Sequence, residues 1–384
     1  MDERRHCNIE LNYKQWAGFI LLLHIHRVMG EKNRATGRNN SRQQRNRSNN
    51  KNRRPKKYGG PSPEAIYTRN EAFIEEAKTR AEERFEVEPR KMGFPEDLEE
   101  ARSFSFEWVT NPVPLRDEEA ASKIVIQRGE FGWLSEQRVD QIGDQIQDLK
   151  INLDQSLSLR SALLQQKTVY SHHRMRSKGK QLRRLYEEGV SVVDLSRKFD
   201  FPPMNIFRTI LSEKGWSKAR IKTNFKEPSK FKKREREEFE KAEAADRVSN
   251  VDQSETHEKA DLFEEALADW FEQKGVRLRR QPEMVAEQNQ EHGRPIRTPD
   301  LLFLDHVEIN GEPIAWIDAK HYYGADVEFQ RKKMVKQMTR YIDEWGSGAV
   351  VYRHGFSENM YIPGCILLDA EQLDLTRLET NPQS

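Results

Sequence analysis

The sequence predicts an α/β domain over residues 254–384, with the order helix, three strands, helix, strand. Before it stand an all-α region with a helix-turn-helix and a disordered basic N-terminus. Three observations predict this. Apolar spacing changes from three-or-four to two near residue 298 and back again after residue 326. Asn310-Gly311, the strongest short hairpin signal, separates two strand-like runs. Arg27 to Lys57 holds twelve Lys/Arg against the single acid Glu31 and has almost nothing to pack.

A chain of 384 residues exceeds the size at which one core stops growing, so more than one domain is expected. It divides into a basic arm at 1–62, a helical region at 63–170, a helix-turn-helix at 171–219, a charged linker at 220–253 and the α/β domain at 254–384. Hydrophobic types make up 35% and charged types 33%, too little apolar surface to order the whole chain. The net charge of +2 excludes a uniformly basic, histone-like protein and directs attention to local clusters. Two cysteines, Cys7 and Cys365, exclude a disulfide framework and a Cys-rich zinc module, and suit a reducing compartment. The most apolar run, Trp16 to Ile25, contains His24 and is far shorter than the ~20 residues a membrane span needs. Its flanks lack the net basic start and cleavage site of a signal peptide. It is read as a short buried helix or as upstream sequence wrongly joined to the gene. The basic arm reads as a nuclear-import signal or phosphate-binding tail, with a solvated spacer as the plain alternative.

Ala65 to Val87 has a helical pattern, as does Ser135 to Leu164, where Val139, Ile142, Ile146, Leu149, Ile151 and Leu153 mark a core face. Between them Phe104, Phe106, Trp108 and Asn111-Pro112-Val113-Pro114 read as a connecting loop with aromatic anchors. Gly179 to Lys218 holds three short amphipathic pieces. Leu182, Leu185 and Tyr186 mark the first; Val192, Val193, Leu195 and Phe199 the second. The third, opened by Pro202-Pro203, carries Met204, Phe207, Ile210 and Leu211, which is a helix-turn-helix pattern. It would point Asn205 and Arg208 outward toward nucleic acid, with Arg183 and Arg184 among the basic residues just ahead. A three-helix protein-contact module is the alternative. Arg220 to Arg247 reads as a charged linker helix or solvated face.

In the last segment, Asp261 to Lys274 places Leu262, Phe263, Ala266, Leu267, Trp270 and Phe271 on one face and stops at Gly275. A short strand from Val276 to Arg280 follows. Next come the hairpin strands Thr298 to Glu308 and Pro313 to Lys320, a helix from Asp326 to Trp345, and strands at Ala349 to Tyr352 and Cys365 to Leu368. With the turn centred on Asn310-Gly311, Asp300 should face His321 and Asp318 should face Phe303. Asp318 and Lys320, two apart, share one side, while Ile317 and Ala319 point to the other. Two carboxylates and an ammonium then converge. Packing alone gives no reason for this; a hard cation with oxygen ligands, Mg²⁺ or Mn²⁺, would stabilise the acids and serve phosphodiester cleavage.

Pro299-Asp300 followed by Asp318-Ala319-Lys320 resembles the PD-(D/E)XK nuclease motif. Thr298-Pro299-Asp300 with the upstream helix-turn-helix resembles the codanin-interacting nuclease family of TPD-motif proteins. The likeness runs from about Arg174 onward and is sharpest from Asp261 to Leu368. It implies that Glu264, followed by Leu267, Phe271 and Gly275, completes a metal site with Asp300, Asp318 and the Ala319 carbonyl; Glu265 and Glu258 are the fallbacks. It also implies that Lys320 serves the attacking water. Gln337 and Tyr341, four apart on one helix face, resemble the QxxxY element of exonuclease-type and recombination-related members and would orient the site. Asp318 stands where many relatives carry Glu.

Other candidates are weaker. His172-His173 and His257-Glu258 lack partners at metal spacing, no Gly-rich phosphate loop exists, and Cys365 reads as a packed thiol. The expectation is therefore a Mg²⁺-dependent nuclease acting on DNA rather than RNA, nuclear and also cytoplasmic, with a codanin-type protein partner and no membrane span. The rivals are a catalytically inactive nuclease-fold adaptor binding chromatin or that partner, and a sequence-specific regulator whose C-terminal domain is only structural.

Overall fold

One mixed sheet, covered on both faces, carries the C-terminal part of the chain. The computed structural model describes residues 63–248 and 254–379, which fall within one compact unit, Pro61–Ser384. The basic arm, the run Trp16 to Ile25 and Cys7 lie outside the described residues. No helix among the described residues is long and apolar enough to cross a membrane.

Strands β1 (Ser103–Phe106), β2 (Leu278–Arg280), β3 (Leu301–Ile309), β4 (Glu312–Lys320), β5 (Gly348–Tyr352) and β6 (Cys365–Asp369) form the sheet in the order β1-β3-β4-β5-β6, with β2 also on β3. The β3–β4 and β2–β3 pairs are antiparallel and the others parallel. The stretch expected to be a connecting loop at Phe104 and Phe106 is thus a strand. Its partner, His306–Ile309, lies some two hundred residues away, so no local turn signal announces it. Trp108 just beyond is buried and donates its indole N–H to the Asp369 carbonyl at 3.0 Å.

On one face lies helix α10 (Ser254–Glu272), whose Phe263, Leu267 and Phe271 pack against Leu301, Phe303, Ile317 and Ala319. On the other lie α12 (Glu328–Trp345) and α1 (Pro63–Glu82), where Met334, Met338, Ile342, Ala77 and Ala81 meet Leu302, Trp316 and Val350. Between β2 and β3 runs α11 (Gln281–His292), a helix not among the expected elements. Gly346 ends α12 with φ +92°. It also lets α1 approach so closely that a Cβ there would stand 2.2 Å from the Ala81 amide nitrogen.

The hairpin turn is Asn310 (φ +54°) and Gly311 (φ +77°), both in the left-handed region that this tight turn demands. Near the turn the register is as expected, with Ile309 opposite Glu312 and Val307 opposite Ile314. Farther out it shifts: Leu302 faces Trp316 and Leu301 faces Ile317. Asp318 therefore does not face Phe303, nor Asp300 His321; continued by one residue, the shifted register sets Asp300 level with Asp318. The irregular stretch contains Asp305, fully buried. It accepts from the Arg102 and Arg277 amides at 3.0 and 2.8 Å and from their guanidinium groups at 2.8 and 2.6 Å. Burial alone would raise its pKa, but these two arginines hold it far below the usual carboxylate range. Asp305 thereby pins the lead-ins to β1 and β2 on the same edge of β3.

The chain between β1 and β2 is helical. It contains α2 (Leu115–Val125), α3 (Glu136–Ile146) and α4 (Leu153–Ser177), so the pattern read as one stretch over Ser135 to Leu164 is two helices. Asn152 caps α4 through a reciprocal bond with Gln155. The three expected helices of the next module are α5 (Gly179–Glu187), α6 (Val192–Phe199) and α7 (Pro203–Glu213), with Pro203 in the first turn of α7.

The residues read as a charged linker helix or solvated face form α8 (Lys218–Lys226) and α9 (Lys233–Ala244), but they are not solvated: Ile221, Phe239 and Ala242 of these helices, and Phe231 between them, are buried in the core of that module. Its few apolar anchors are large, and its acids cap other helices. Glu238 accepts from the Val192 amide at 2.6 Å and Asp246 from the Met204 amide at 2.9 Å, each at a helix N-terminus where donors are orphaned. Phe239→Ala should lower unfolding stability by about 3–5 kcal/mol in urea titration; a linker residue would leave the midpoint unchanged.

Candidate active site

The open end of the β3–β4 hairpin is where the acids collect. Asp300 precedes β3 and is buried; its Oδ2 accepts from the Ala319 amide at 2.6 Å, and its Oδ1 accepts from Gln281 Nε2 at 2.6 Å. Asp318, near the end of β4, is 1% exposed. Its Oδ1 accepts from Gln337 Nε2 at 3.1 Å, while Lys320 Nζ lies against its Oδ2. That Oδ2 is fully buried and, although in ion contact with Lys320, has no hydrogen-bond partner of good geometry. The alternation along β4 is as expected: Ile317 and Ala319 face the α10 core, and Asp318 and Lys320 share the other side.

Glu264 on α10 joins them electrostatically. Burial, then the charges of Asp300, Asp261 and Asp318, push its carboxyl up to about 9 against the pull of Lys320. Asp300 is pushed up to about 7 by burial and by Asp318, with Lys320 and the Ala319 amide opposing. Burial disfavours the charge on Lys320, yet Asp318 and Asp300 hold its pKa well above the ordinary lysine value. The structure thus brings Glu264, Asp300, Asp318 and Lys320 into one electrostatic cluster. The fallbacks do not join it: Glu265 and Glu258 are both exposed. Among the described residues, no three acidic, histidine or cysteine side chains stand as placed in positions to share one metal ion. Asp300 spends its oxygens on Gln281 and Ala319, and Lys320 lies against Asp318 Oδ2, so sharing an ion would require these side chains to move.

Gln337 and Tyr341 lie on α12 as their spacing implies. Gln337 touches Asp318, and the buried Tyr341 donates from its hydroxyl to the Thr298 carbonyl at 3.1 Å. Burial and then the Asp318 charge raise the Tyr341 pKa, keeping the phenol protonated. One residue escaped the sequence reading. Gln281, opening α11, donates to both Asp300 Oδ1 and the Thr298 carbonyl, the latter at 3.2 Å. Its only sequence signal is Gln-Pro directly after a strand, a common helix start. Cys365 is a packed thiol, raised well above the usual range by burial.

The helix-turn-helix residues stand apart from this cluster. Arg208 is exposed, its guanidinium 5.2 Å from the Phe225 ring centre, and Asn205 is half-buried. His172 is depressed by burial and then by the charges of Arg176 and Arg208, which places the end of α4 beside Arg208. Arg183 and Arg184 are exposed but lie against Glu187 at 2.8 Å and Glu188 at 3.6 Å, contacts of small worth on a surface.

Residues 231–370 match a family model described as a protein of unknown function with the TPD sequence motif, and the match includes Thr298-Pro299-Asp300. The chain is also similar to an uncharacterised protein, L539, of Acanthamoeba polyphaga mimivirus, 30% identical over 115 residues that make up 29% of this chain. That alignment spans 40% of the viral protein, so the chain covers well under half of this relative's length. No solved structure matches.

Two raised carboxyls have a consequence for stability. Unfolded Glu and Asp titrate near 4, whereas in the fold Asp300 and Glu264 hold their protons to about 7 and 9. The folded chain therefore binds more protons across that window, and the metal-free protein loses stability as pH rises through it. Chemical denaturation in EDTA should show Glu264→Gln gaining on wild type between pH 5 and pH 9. A stability difference that is flat with pH would mean Glu264 is not held among these charges.

Proposed function

We propose that this site is a metal-dependent phosphodiesterase that hydrolyses DNA, on a fold resembling the PD-(D/E)XK nucleases. The observation that carries the reading is the gathering of three carboxyl groups, two of them buried, beside one lysine at the open end of a hairpin. Such a cluster is costly by itself and is relieved by a hard divalent cation. The donor set fits one: carboxylate oxygens of Glu264, Asp300 and Asp318, together with the Ala319 carbonyl, would hold Mg²⁺ or Mn²⁺. When bound, the ion would neutralise charge on the phosphate oxygens and lower the pKa of a water.

The chain's own groups supply the rest. Lys320, charged and set against Asp318, would orient the attacking water. Gln337 fixes the Asp318 carboxylate. Gln281 and Tyr341 both fasten the Thr298 carbonyl and so fix the Pro299-Asp300 segment. The helix-turn-helix, with Arg208 and Arg176 exposed, offers a grip on nucleic acid. A nuclear location and a codanin-type partner are part of the same proposal, since they rest on the same resemblance.

A second reading, an inactive adaptor that binds chromatin or that partner, is favoured by one observation: Lys320 lies against Asp318, and the acids are not set to share an ion as placed. Cleavage separates the two. Purified protein with Mg²⁺ should cut a panel of single-stranded, duplex or branched DNA. Asp318→Ala and Lys320→Ala should each reduce the rate by about 100-fold or more while remaining folded by circular dichroism. Binding without cleavage on every substrate would establish the adaptor, and equal cutting by both variants would expose a contaminant.

A further inference from the structure

We propose that Lys333 positions the substrate's phosphate backbone at the mouth of this site, an inference that rests on the nuclease reading and deepens it. Lys333 precedes Gln337 by four residues and Tyr341 by eight, so the three lie along one face of α12. That face is graded. Tyr341 is buried against the Thr298 carbonyl, Gln337 is half-buried on Asp318, and Lys333 is exposed, so the lysine stands one turn outward from the groups that orient the acids.

Its neighbours on the same helix have partners: Arg331 pairs with Asp326, and Lys332 with Glu328 at 2.5 Å. Lys333 has no hydrogen bond or ion pair among the described residues. The surrounding protein and then the like charge of Lys320 draw its ammonium below the ordinary lysine value, with Asp318 opposing. A lone surface lysine is ordinarily just solvated. This one stands one helical turn from Gln337, whose amide holds Asp318 with Lys320 against it, so an anion drawn to that turn would meet two ammonium groups. A phosphodiester has that charge, and Lys333 stands one turn outward from Gln337, which holds Asp318. Lys333 donates to a phosphate oxygen and carries no chemistry of its own; it is a positioning residue.

Steady-state cleavage over a range of salt tests this with Lys333→Gln and Lys333→Arg. For Lys333→Gln, KM should rise about tenfold, as for loss of one charge-assisted hydrogen bond, with kcat nearly kept. The slope of log(kcat/KM) against log salt should shrink by about 0.7 to 0.9, one phosphate contact. Lys333→Arg should restore both. If wild type cuts and Lys333→Gln matches it in KM and salt slope, the role of Lys333 is overturned while the nuclease reading stands. If wild type cuts nothing, the nuclease reading fails and this inference falls with it.

Discussion

Like charges buried together are the constraint on which the site depends. Asp300 and Asp318 are almost wholly withdrawn from water, and Glu264 acts on them from helix α10. Carboxylates in such a place must either keep a proton, find a cation or be pried apart by the fold. Here the fold does not separate them. It instead gives each acid polar contacts that hold its direction: Gln281 and the Ala319 amide for Asp300, Gln337 and Lys320 for Asp318. Rigid placement of mutually unfavourable charges resembles a catalytic centre more than a stabilising ion pair, because stability alone would be better served by apolar side chains.

The rest of the molecule keeps that placement stiff. Asp305 pins the lead-ins to β1 and β2 along one edge of β3, and β3 shifts its register against β4 in this stretch, which sets Asp300 level with Asp318. Helices α1 and α12 pack closely through Gly346, and α12 in turn carries Gln337 and Tyr341 to the acids. Helix α4 joins the far module to this body. Its Gln166 accepts from the Phe329 amide near the start of α12, and its far end brings His172 near Arg208.

Much of this was legible because its signals are local. The Asn310-Gly311 turn, the alternation that separates Asp318 and Lys320 from Ile317 and Ala319, and the four-residue step from Gln337 to Tyr341 each lie within a few residues of chain. The α/β character of the C-terminal part and the three helices from Gly179 to Glu213 were readable for the same reason. What escaped depends on partners far away in sequence. Ser103–Phe106 is a strand only because His306–Ile309 is there to receive it. The register beyond the turn is altered in the stretch around Asp305, which binds Arg102 and Arg277. Glu238 and Asp246 looked like solvated charge until Val192 and Met204 gave them amides to cap. Gln281 gave no sign of its role, since its meaning lies wholly in where Asp300 arrives.

Direct titration of Mn²⁺ into the folded, metal-free protein near pH 7 tests the central claim most directly, with proton release followed in the same experiment. The account predicts saturable binding that expels protons held by Glu264 and Asp300, weakened at least tenfold in Glu264→Gln, Asp300→Asn and Asp318→Asn. Absence of binding by folded wild type, or equal binding by all three variants, would contradict it.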